Sequence, residues 1–330
     1  MRGQFAQAVS VIQNARRIVI SSHINPDGDA LGSTLALTHA LRHLGKDVTL
    51  LLADGVPEIY RWLPGCDFVV QSTDQRDFDL AIVCDAGTLI RVGKSIVPVI
   101  QSAMIVMDID HHVADGPFGD IRILDSRAAA TAELVWPLLN RLSTAAGMNL
   151  LTADIAFCLQ CGLVTDTGSF RFPNVTPAVF ELAAKLQRLG AAPAPICEHV
   201  FETRSYASTM LLGRALSSVR LTEDGKVAWA HVTAADFAEF NGSDAETEGV
   251  VNHVRALKGV DVALLFREIP GRAIRVSLRA RDGADVNKIA NAFGGGGHRL
   301  AAGCSIDLPL AEAETALVGE ASRQLKKAST

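Results

Sequence analysis

The first half of the chain alternates short β-branched runs with helical patterns. Its strand candidates are RIVISSH, DVTLLLAD, DLAIVCDAG and AMIVMDIDHH, and an amphipathic segment, ALGSTLALTHALRHLG, separates the first two. Alternation of this kind predicts a parallel α/β sheet, because parallel strands are joined by helical crossovers. We expect RIVISSH to open the fold as its first element.

Acidic and histidine residues follow these predicted strands. Because parallel sheets bind ligands at the carboxyl ends of their strands, we expect these side chains to meet at one edge. A helical segment from Thr152 to Val164 is predicted to return to the same edge. The residues concerned are His23, Asp27, Asp29, Asp85, Asp110, His111, His112 and Asp166.

Each of these residues alone also fits a structural role, such as the capping of the next helix by an aspartate. Together, carboxylates and imidazoles without cysteine form a ligand set that suits Mn²⁺ or Mg²⁺. A pair of such cations can activate water for attack on phosphorus. The pattern therefore predicts a two-metal site that hydrolyses a phosphate ester.

The second half of the chain changes character. From Pro177 to about Ser218 the pattern is helical, and the strand candidates KVAWAHV, VDVALLFREI and AIRVSLRARD follow. A chain of 330 residues is long enough for two domains. We predict a metal-binding domain at 1–190, a helical linker at 191–224 and a smaller α/β domain at 225–330.

Composition narrows the range of partners. The net charge is −5, no run of lysine or arginine occurs, and aromatic residues make up 5% of the chain. Binders of long nucleic acid usually have a basic face and stacking side chains, so short phosphorylated substrates are favoured. No signal-peptide pattern or bilayer-spanning apolar stretch is present, which predicts a cytoplasmic protein without a membrane partner.

Two motifs resemble those of a known family. The order H-x-x-P-D-x-D-x-x-G-S from His23, then D, then D-H-H, then D, resembles the DHH phosphoesterase family. GGGGHRLAAG at 294–303 resembles its companion DHHA1 domain, so the resemblance covers essentially the whole chain. The nearest branch comprises stand-alone oligoribonucleases (nano-RNases) and 3′-phosphoadenosine 5′-phosphate phosphatases, although Ala280 stands where serine is usual.

The resemblance implies two Mn²⁺ ions, with Mg²⁺ or Co²⁺ as alternatives, and distinct roles for the residues. Asp85 would bridge the two ions and take part in catalysis. His112 would contact the scissile phosphate as an acid or charge stabiliser, and Asp110 would orient a ligand histidine. One ion would be held by His23 and Asp27, and the other by Asp29, His111 and Asp166.

In the second domain the resemblance implies a grip on the remote phosphate of the substrate. Ser277 and Arg279 are two apart on a predicted strand, so they face the same side. The glycines from Gly294 are expected to form an anion-binding loop that opens toward a helix or turn. Arg171 is either a phosphate ligand or a surface arginine. The substrate-binding set, expected in a cleft between the domains, is Ser277, Arg279, Gly295, Gly296, Gly297, His298 and Arg171.

The implied function is hydrolysis of two- to five-nucleotide RNA and linear dinucleotides, and dephosphorylation of 3′-phosphoadenosine 5′-phosphate. Two alternatives also fit the sequence: a cyclic-dinucleotide phosphodiesterase, and a nucleotide-binding regulator without catalysis. Such a regulator would be expected to lack a metal ligand, and none is missing here. The sequence leaves open the preferred substrate, the polarity of digestion and the formation of a homodimer.

Overall fold

The computed structural model contains two compact units, which divide between Thr203 and Arg204. This division lies inside 191–224, the segment expected to be a linker. None of the helices described is both long and apolar enough to cross a membrane. The structure describes residues 2–112, 116, 118–281 and 283–328.

The first unit is built on a parallel sheet, as the alternation of strands and helices predicted. Among the described residues its strand order is β3-β2-β1-β4-β5-β6, and every neighbouring pair is parallel. The order reverses between β1 and β4, so their carboxyl ends flank the switch point where such sheets bind ligands. The strands are β1 (Arg17–Ser21), β2 (Asp47–Leu51), β3 (Val69–Val70), β4 (Leu80–Cys84), β5 (Ile105–Asp110) and β6 (Ile121–Leu124).

Helices cover both faces of this sheet. They are α1 (Arg2–Asn14), α2 (Gly28–His43), α3 (Val97–Gln101), α4 (Ala132–Ala146), α5 (Ala153–Asp166), α6 (Pro177–Arg188) and α7 (Pro193–Cys197). The main core lies where α1, α2, α4 and α5 pack against strand residues such as Ile18 and Ile20. A smaller core on the opposite face joins Val19 and Ala81 to α3, because successive strand residues point to opposite faces.

The expectation that the first strand opens the fold was wrong. Helix α1 precedes β1, and its residues Phe5, Ala8 and Ile12 are buried in the main core. Their spacing of three and four places them on one helical face. The apolar spacing in QFAQAVSVIQN therefore carried a helix signal of its own.

Helices α2 and α5 approach closely because glycines lie in their contact. A Cβ atom at Gly32 would lie 2.2 Å from the carbonyl oxygen of Cys158, and one at Gly162 would lie 2.4 Å from Asp29 Oδ1. Neither distance is compatible with a side chain at these positions. The close approach brings Asp29, in the first turn of α2, near Asp166, the last residue of α5.

The second unit contains its own sheet, which is mixed. Its described elements are α8 (Tyr206–Ser217), β7 (Arg220–Leu221), β8 (Val227–Val232), α9 (Ala234–Glu239), α10 (Val250–Arg255), β9 (Val262–Arg267), β10 (Ile274–Ala280), α11 (Val286–Asn291), β11 (Gly296–His298), β12 (Ala301–Ile306) and α12 (Leu310–Ala328). The strand order is β11-β12-β10-β9-β8-β7, with β8 and β9 parallel and the other neighbours antiparallel. One apolar layer joins the sheet to α11 and α12, and the other joins it to α8, α9 and α10.

The glycine-rich segment is partly a strand. It follows α11, its last two glycines enter β11 at the edge of the sheet, and it leads into a turn at 299–300, one of the two forms expected. A Cβ atom at Gly295 would lie 2.3 Å from the carbonyl oxygen of Gly303, so glycine permits close contact with β12. A strand at the edge of a sheet has one row of backbone groups without a partner strand. The expected binding of an anion by backbone N–H groups is therefore compatible with this position.

Candidate metal centre

The first site residues lie between β1 and α2, at the switch point of the sheet. His23 is buried just beyond β1, and Asp27 is the N-cap of α2. Asp27 Oδ1 accepts hydrogen bonds from the backbone N–H groups of Asp29 and Ala30, each at 3.0 Å. Asp27 therefore caps α2, which is the structural role that the sequence also allowed. The same carboxylate oxygen lies 3.9 Å from Nε2 of His23, so Asp27 is also close to the other site residues.

Asp85 lies at the centre of the site, directly after β4. Its backbone has a φ of 58°, in the left-handed region, and its side chain is buried. Oδ2 lies 3.6 Å from Nε2 of His23, whereas Oδ1 lies 3.3 Å from Nε2 of His111. The two oxygens of this carboxylate therefore face two different groups of side chains.

The structure brings the remaining residues together on either side of Asp85. His23, Asp27 and Asp85 each offer a ligand atom within 4.8 Å of the others, and so do Asp29, His111 and Asp166. His111 Nε2 lies 3.2 Å from Asp166 Oδ2. These two groups contain the same residues that the family resemblance assigns to two separate ions.

The histidines of the centre have raised pKa values although they are buried. Burial lowers the pKa of His111, but hydrogen bonds with Asp166 and Asp85 outweigh this effect and raise that pKa to about 11. Burial likewise opposes protonation of His23, and the hydrogen bond with Asp85 leads the net rise of its pKa. Both rings are held by carboxylates that favour positive charge.

The carboxylates differ in how easily they ionise. Burial raises the pKa of Asp29 well above its ordinary value, and the charges of Asp85 and Asp166 add to this effect. Burial also raises the pKa of Asp166 to about 6, against the hydrogen bond from His111. Asp85 is the exception, because hydrogen bonds from His111 and His23 overcome burial and hold its pKa below the usual range.

This arrangement fits divalent cations. Among the described residues, these carboxylates form ion pairs with histidines and not with lysine or arginine. Buried carboxylates that repel one another are stabilised by a cation that supplies positive charge and takes oxygen ligands. The donors are oxygen and imidazole nitrogen, whereas the nearby thiol of Cys84 lies in the main core. Such a set suits hard or borderline divalent ions.

Asp110 orients a different histidine from the one expected. Its Oδ1 atom lies 2.8 Å from Nδ1 of His112 and accepts a hydrogen bond from the backbone N–H of the same residue at 2.8 Å. Its Oδ2 atom accepts a hydrogen bond from the backbone N–H of Gly87. The expectation that Asp110 orients a ligand histidine was therefore wrong: it holds His112, whose side chain is 39% exposed against 15% for His111.

A residue that sequence reasoning missed joins the two groups. Thr131 is fully buried, and it donates hydrogen bonds to both Asp29 and Asp85. In the segment AAATAEL it had only the pattern of an ordinary helix start, so its contacts had no separate sequence signal.

The structure ties Arg171 to its own loop. Its Nε atom donates a hydrogen bond to the carbonyl oxygen of Gly168 at 2.6 Å, and its guanidinium lies 6.0 Å from the ring of Phe201. The residue is exposed, and these contacts fit a surface arginine as well as a phosphate ligand.

The second unit places Ser277 and Arg279 on β10, where both are half-buried. Ser277 Oγ accepts a hydrogen bond at 2.8 Å from Arg267, which is buried and pairs with Asp244 at 2.8 Å. Sequence reasoning missed Arg267 and Asp244, because they lie on separate elements of the chain. The predicted glycines and histidine lie on β11 or just before it, at the far edge of the same sheet, namely Gly295, Gly296, Gly297 and His298.

Models of two protein families match this chain. The model of the DHH family N-terminal domain matches residues 17–163, and that of the DHHA1 domain matches 224–327. A bifunctional oligoribonuclease and PAP phosphatase, NrnA of Thermus thermophilus, is 34% identical over 291 residues, which are 88% of this chain and 84% of that protein.

Solved structures share the fold. An exopolyphosphatase-related protein from Bacteroides fragilis superposes with a TM-score of 0.91 at 25% identity, over 100% of this chain and 98% of that one. RecJ of Thermus thermophilus in complex with Mn²⁺ has a TM-score of 0.55 at 16% identity, over 99% of this chain and 55% of RecJ. The chain belongs to the DHH family and carries a DHHA1 domain. It is a phosphoric ester hydrolase.

Proposed function

We propose that this protein hydrolyses two- to five-nucleotide RNA and linear dinucleotides, and removes the 3′-phosphate of 3′-phosphoadenosine 5′-phosphate. The observation that carries the proposal is the pair of ligand groups on either side of Asp85, one oxygen of which faces each group. The similarity to a relative named for both activities supports the choice of substrates.

We assign two divalent cations to the centre, with Mn²⁺ as the resident ion and Mg²⁺ or Co²⁺ as substitutes. When bound, the pair would polarise the phosphate and lower the pKa of an attacking water. Asp85 would be the ligand common to both ions, because one of its oxygens faces His23 and the other faces His111. His23 and Asp27 complete one ligand set, and the other comprises Asp29, His111 and Asp166.

We infer that His112 acts on the substrate. Because Asp110 holds its Nδ1 atom, the ring offers Nε2 to groups in front of the site. The hydrogen bond with Asp110 leads the rise in the pKa of His112, against its burial. A protonated Nε2–H can donate to a phosphate oxygen and stabilise the charge that develops there, or transfer its proton to the leaving oxygen.

The second unit would bind another phosphate of the nucleotide. Arginine can only donate hydrogen bonds, so the Ser277 hydroxyl, which accepts from Arg267, keeps its own hydrogen for an anion. Arg279 adds a planar guanidinium that suits a terminal phosphate. The backbone N–H groups of β11 and His298 would complete this contact surface within the second unit. Arg171, in the first unit, is proposed separately as a further phosphate ligand.

The alternatives are less well supported. A regulator without catalysis is disfavoured because every residue of the two ligand groups is present and gathered. A cyclic-dinucleotide phosphodiesterase is not indicated by the relative described above.

We place the activity in the cytoplasm because the six cysteines are free thiols, three of them buried in the main core.

The test uses the full chain, stripped of metal and resupplied with Mn²⁺. It should release phosphate from 3′-phosphoadenosine 5′-phosphate and shorten a labelled RNA dinucleotide, more rapidly than it attacks a cyclic dinucleotide or a long RNA. Asp85→Asn should lower both rates by more than the ~100-fold typical of losing an outer partner of a metal ligand. Asp47→Asn, an equal charge change at the start of β2, is the matched control. Turnover of neither substrate by the wild type would refute the proposal.

A further inference from the structure

Thr131 occupies the N-cap position of α4 but does not use its side chain as a cap. A threonine at this position usually accepts a hydrogen bond from a backbone N–H of the first turn. Within the described chain Thr131 makes no such bond. Its hydroxyl donates instead to Asp85 Oδ1 at 3.1 Å, and the side chain is fully buried. The hydroxyl is thus directed from the helix to the central carboxylate of the metal centre.

The backbone of Thr131 holds a second carboxylate. Its N–H donates to Asp29 Oδ2 at 2.5 Å, while the N–H of Ala132 donates to Asp29 Oδ1 at 3.0 Å. Asp29 therefore caps α4 in place of the threonine side chain.

The hydrogen bonds leave only certain oxygen lone pairs of Asp29 and Asp85 available to a metal ion. Oδ1 of Asp29 accepts two hydrogen bonds, because Ser33 Oγ also donates to it at 3.2 Å. Oδ2 accepts one, from Thr131. A carboxylate oxygen has two lone pairs, so the free one belongs to Oδ2 of Asp29. On Asp85, the Thr131 hydroxyl occupies one lone pair of Oδ1 and leaves the other to the ligand group of His111.

We propose that Thr131 is a positioning residue that fixes the orientation of Asp29 and Asp85 together. One residue donates its N–H to a carboxylate of one ligand group and its O–H to the carboxylate shared by both groups. Loss of the hydroxyl would free Asp85 to rotate and weaken the binding of both ions. This inference rests on the proposed metal-dependent function and concerns the affinity for metal rather than contact with substrate.

The central experiment compares Thr131→Val with Thr131→Ser in the full chain. Valine keeps the shape and the backbone N–H and removes the hydroxyl, whereas serine keeps both donors. Thr38→Val is the matched control, because Thr38 is equally buried but its hydroxyl donates to the carbonyl oxygen of Thr34 within α2. Titration of metal-stripped protein, with free Mn²⁺ followed by electron paramagnetic resonance, measures the affinity. Thr131→Val should bind Mn²⁺ about 10–100-fold more weakly, and the other two variants should match the wild type.

Further measurements separate the possible explanations. If Thr131→Val does not fold, Thr131→Ala is titrated in its place. Wild-type affinity in the variant without a hydroxyl would overturn the proposal, and so would equal weakening by serine. At saturating Mn²⁺ the variant should recover most of its kcat, since Thr131 acts through the ligands; a persistent loss would also overturn the positioning role. A wild type that binds Mn²⁺ but hydrolyses neither substrate would refute the proposed function and leave this inference standing.

Discussion

Replacement of Gly32 by alanine should destabilise the first unit, although alanine is the better helix former. The new Cβ atom would lie 2.2 Å from the carbonyl oxygen of Cys158, whereas ordinary contact begins at 3.4 Å. The two helices would have to separate by the difference, about 1.2 Å. The atom met is part of the backbone of α5, so no side chain can rotate away to relieve the clash.

The magnitude follows from two opposing effects. Overpacking of a well-packed interior costs about 1–3 kcal/mol, and a clash with backbone belongs at the upper end of that range. Replacing a helical glycine by alanine gains about 1 kcal/mol. The net loss should be about 2 kcal/mol. Gly319→Ala, in the exposed middle of α12 with open space around the new atom, should instead gain ~0.5–1 kcal/mol.

Amide hydrogen exchange of peptides from α2, α5 and α12 measures both effects in one protein. Gly32→Ala should speed exchange in α2 and α5 and leave α12 unchanged, while Gly319→Ala should slow exchange in α12 alone. Mn²⁺ affinity should fall in the first variant only, because Asp29 lies on the displaced helix. Wild-type or slower exchange of α5 in Gly32→Ala would refute the reasoning about close packing.

Three further predictions concern other positions. Burial, helped by the charge of Asp110, raises the pKa of Asp108 to about 8. Between pH 5 and 8 the folded protein therefore keeps a proton on Asp108 that the unfolded chain, with an ordinary pKa of ~4, has released. The free energy of unfolding should then fall over this range by at most about 1.4 kcal/mol per pH unit. Asp108→Asn should lose this dependence in urea unfolding, and an equal slope in both proteins would contradict it. Asp110→Asn should lower kcat about 10–100-fold while Mn²⁺ affinity is retained, because Asp110 holds His112; an equal loss of affinity would refute that role. Gly295→Ala should raise KM through displacement of β11 and leave Mn²⁺ affinity intact, so a fall in affinity would count against it.

The strand-end residues could be predicted because two simple rules act together. A buried parallel strand has a recognisable apolar run, and the residue that follows it must lie at the carboxyl edge of the sheet. His23, Asp85 and His111 follow from these rules without any knowledge of their partners. The parallel sheet of the first unit, predicted from the same apolar runs, is confirmed by the structure.

Contacts between distant elements could not be predicted from the sequence. Thr131 meets Asp29 across 102 residues, and Arg267 meets Asp244 across 23. Local patterns describe only the helix start or strand end to which each belongs. The partner of Asp110 was mistaken for a related reason: the sequence placed two adjacent histidines beside it, and only the directions of their rings distinguish them.

The left-handed backbone of Asp85, with its φ of 58°, limits which residues evolution or engineering can place there. For most side chains this conformation costs roughly 1–2 kcal/mol, while asparagine, aspartate and histidine enter it more readily. Glutamate would keep the negative charge, but it enters the left-handed conformation less readily and its longer side chain would move the carboxylate. Aspartate is therefore the acidic residue that suits both this backbone conformation and the proposed role as a shared ligand. Attempts to retune this centre for other metals should begin at the neighbouring ligands and leave position 85 unchanged.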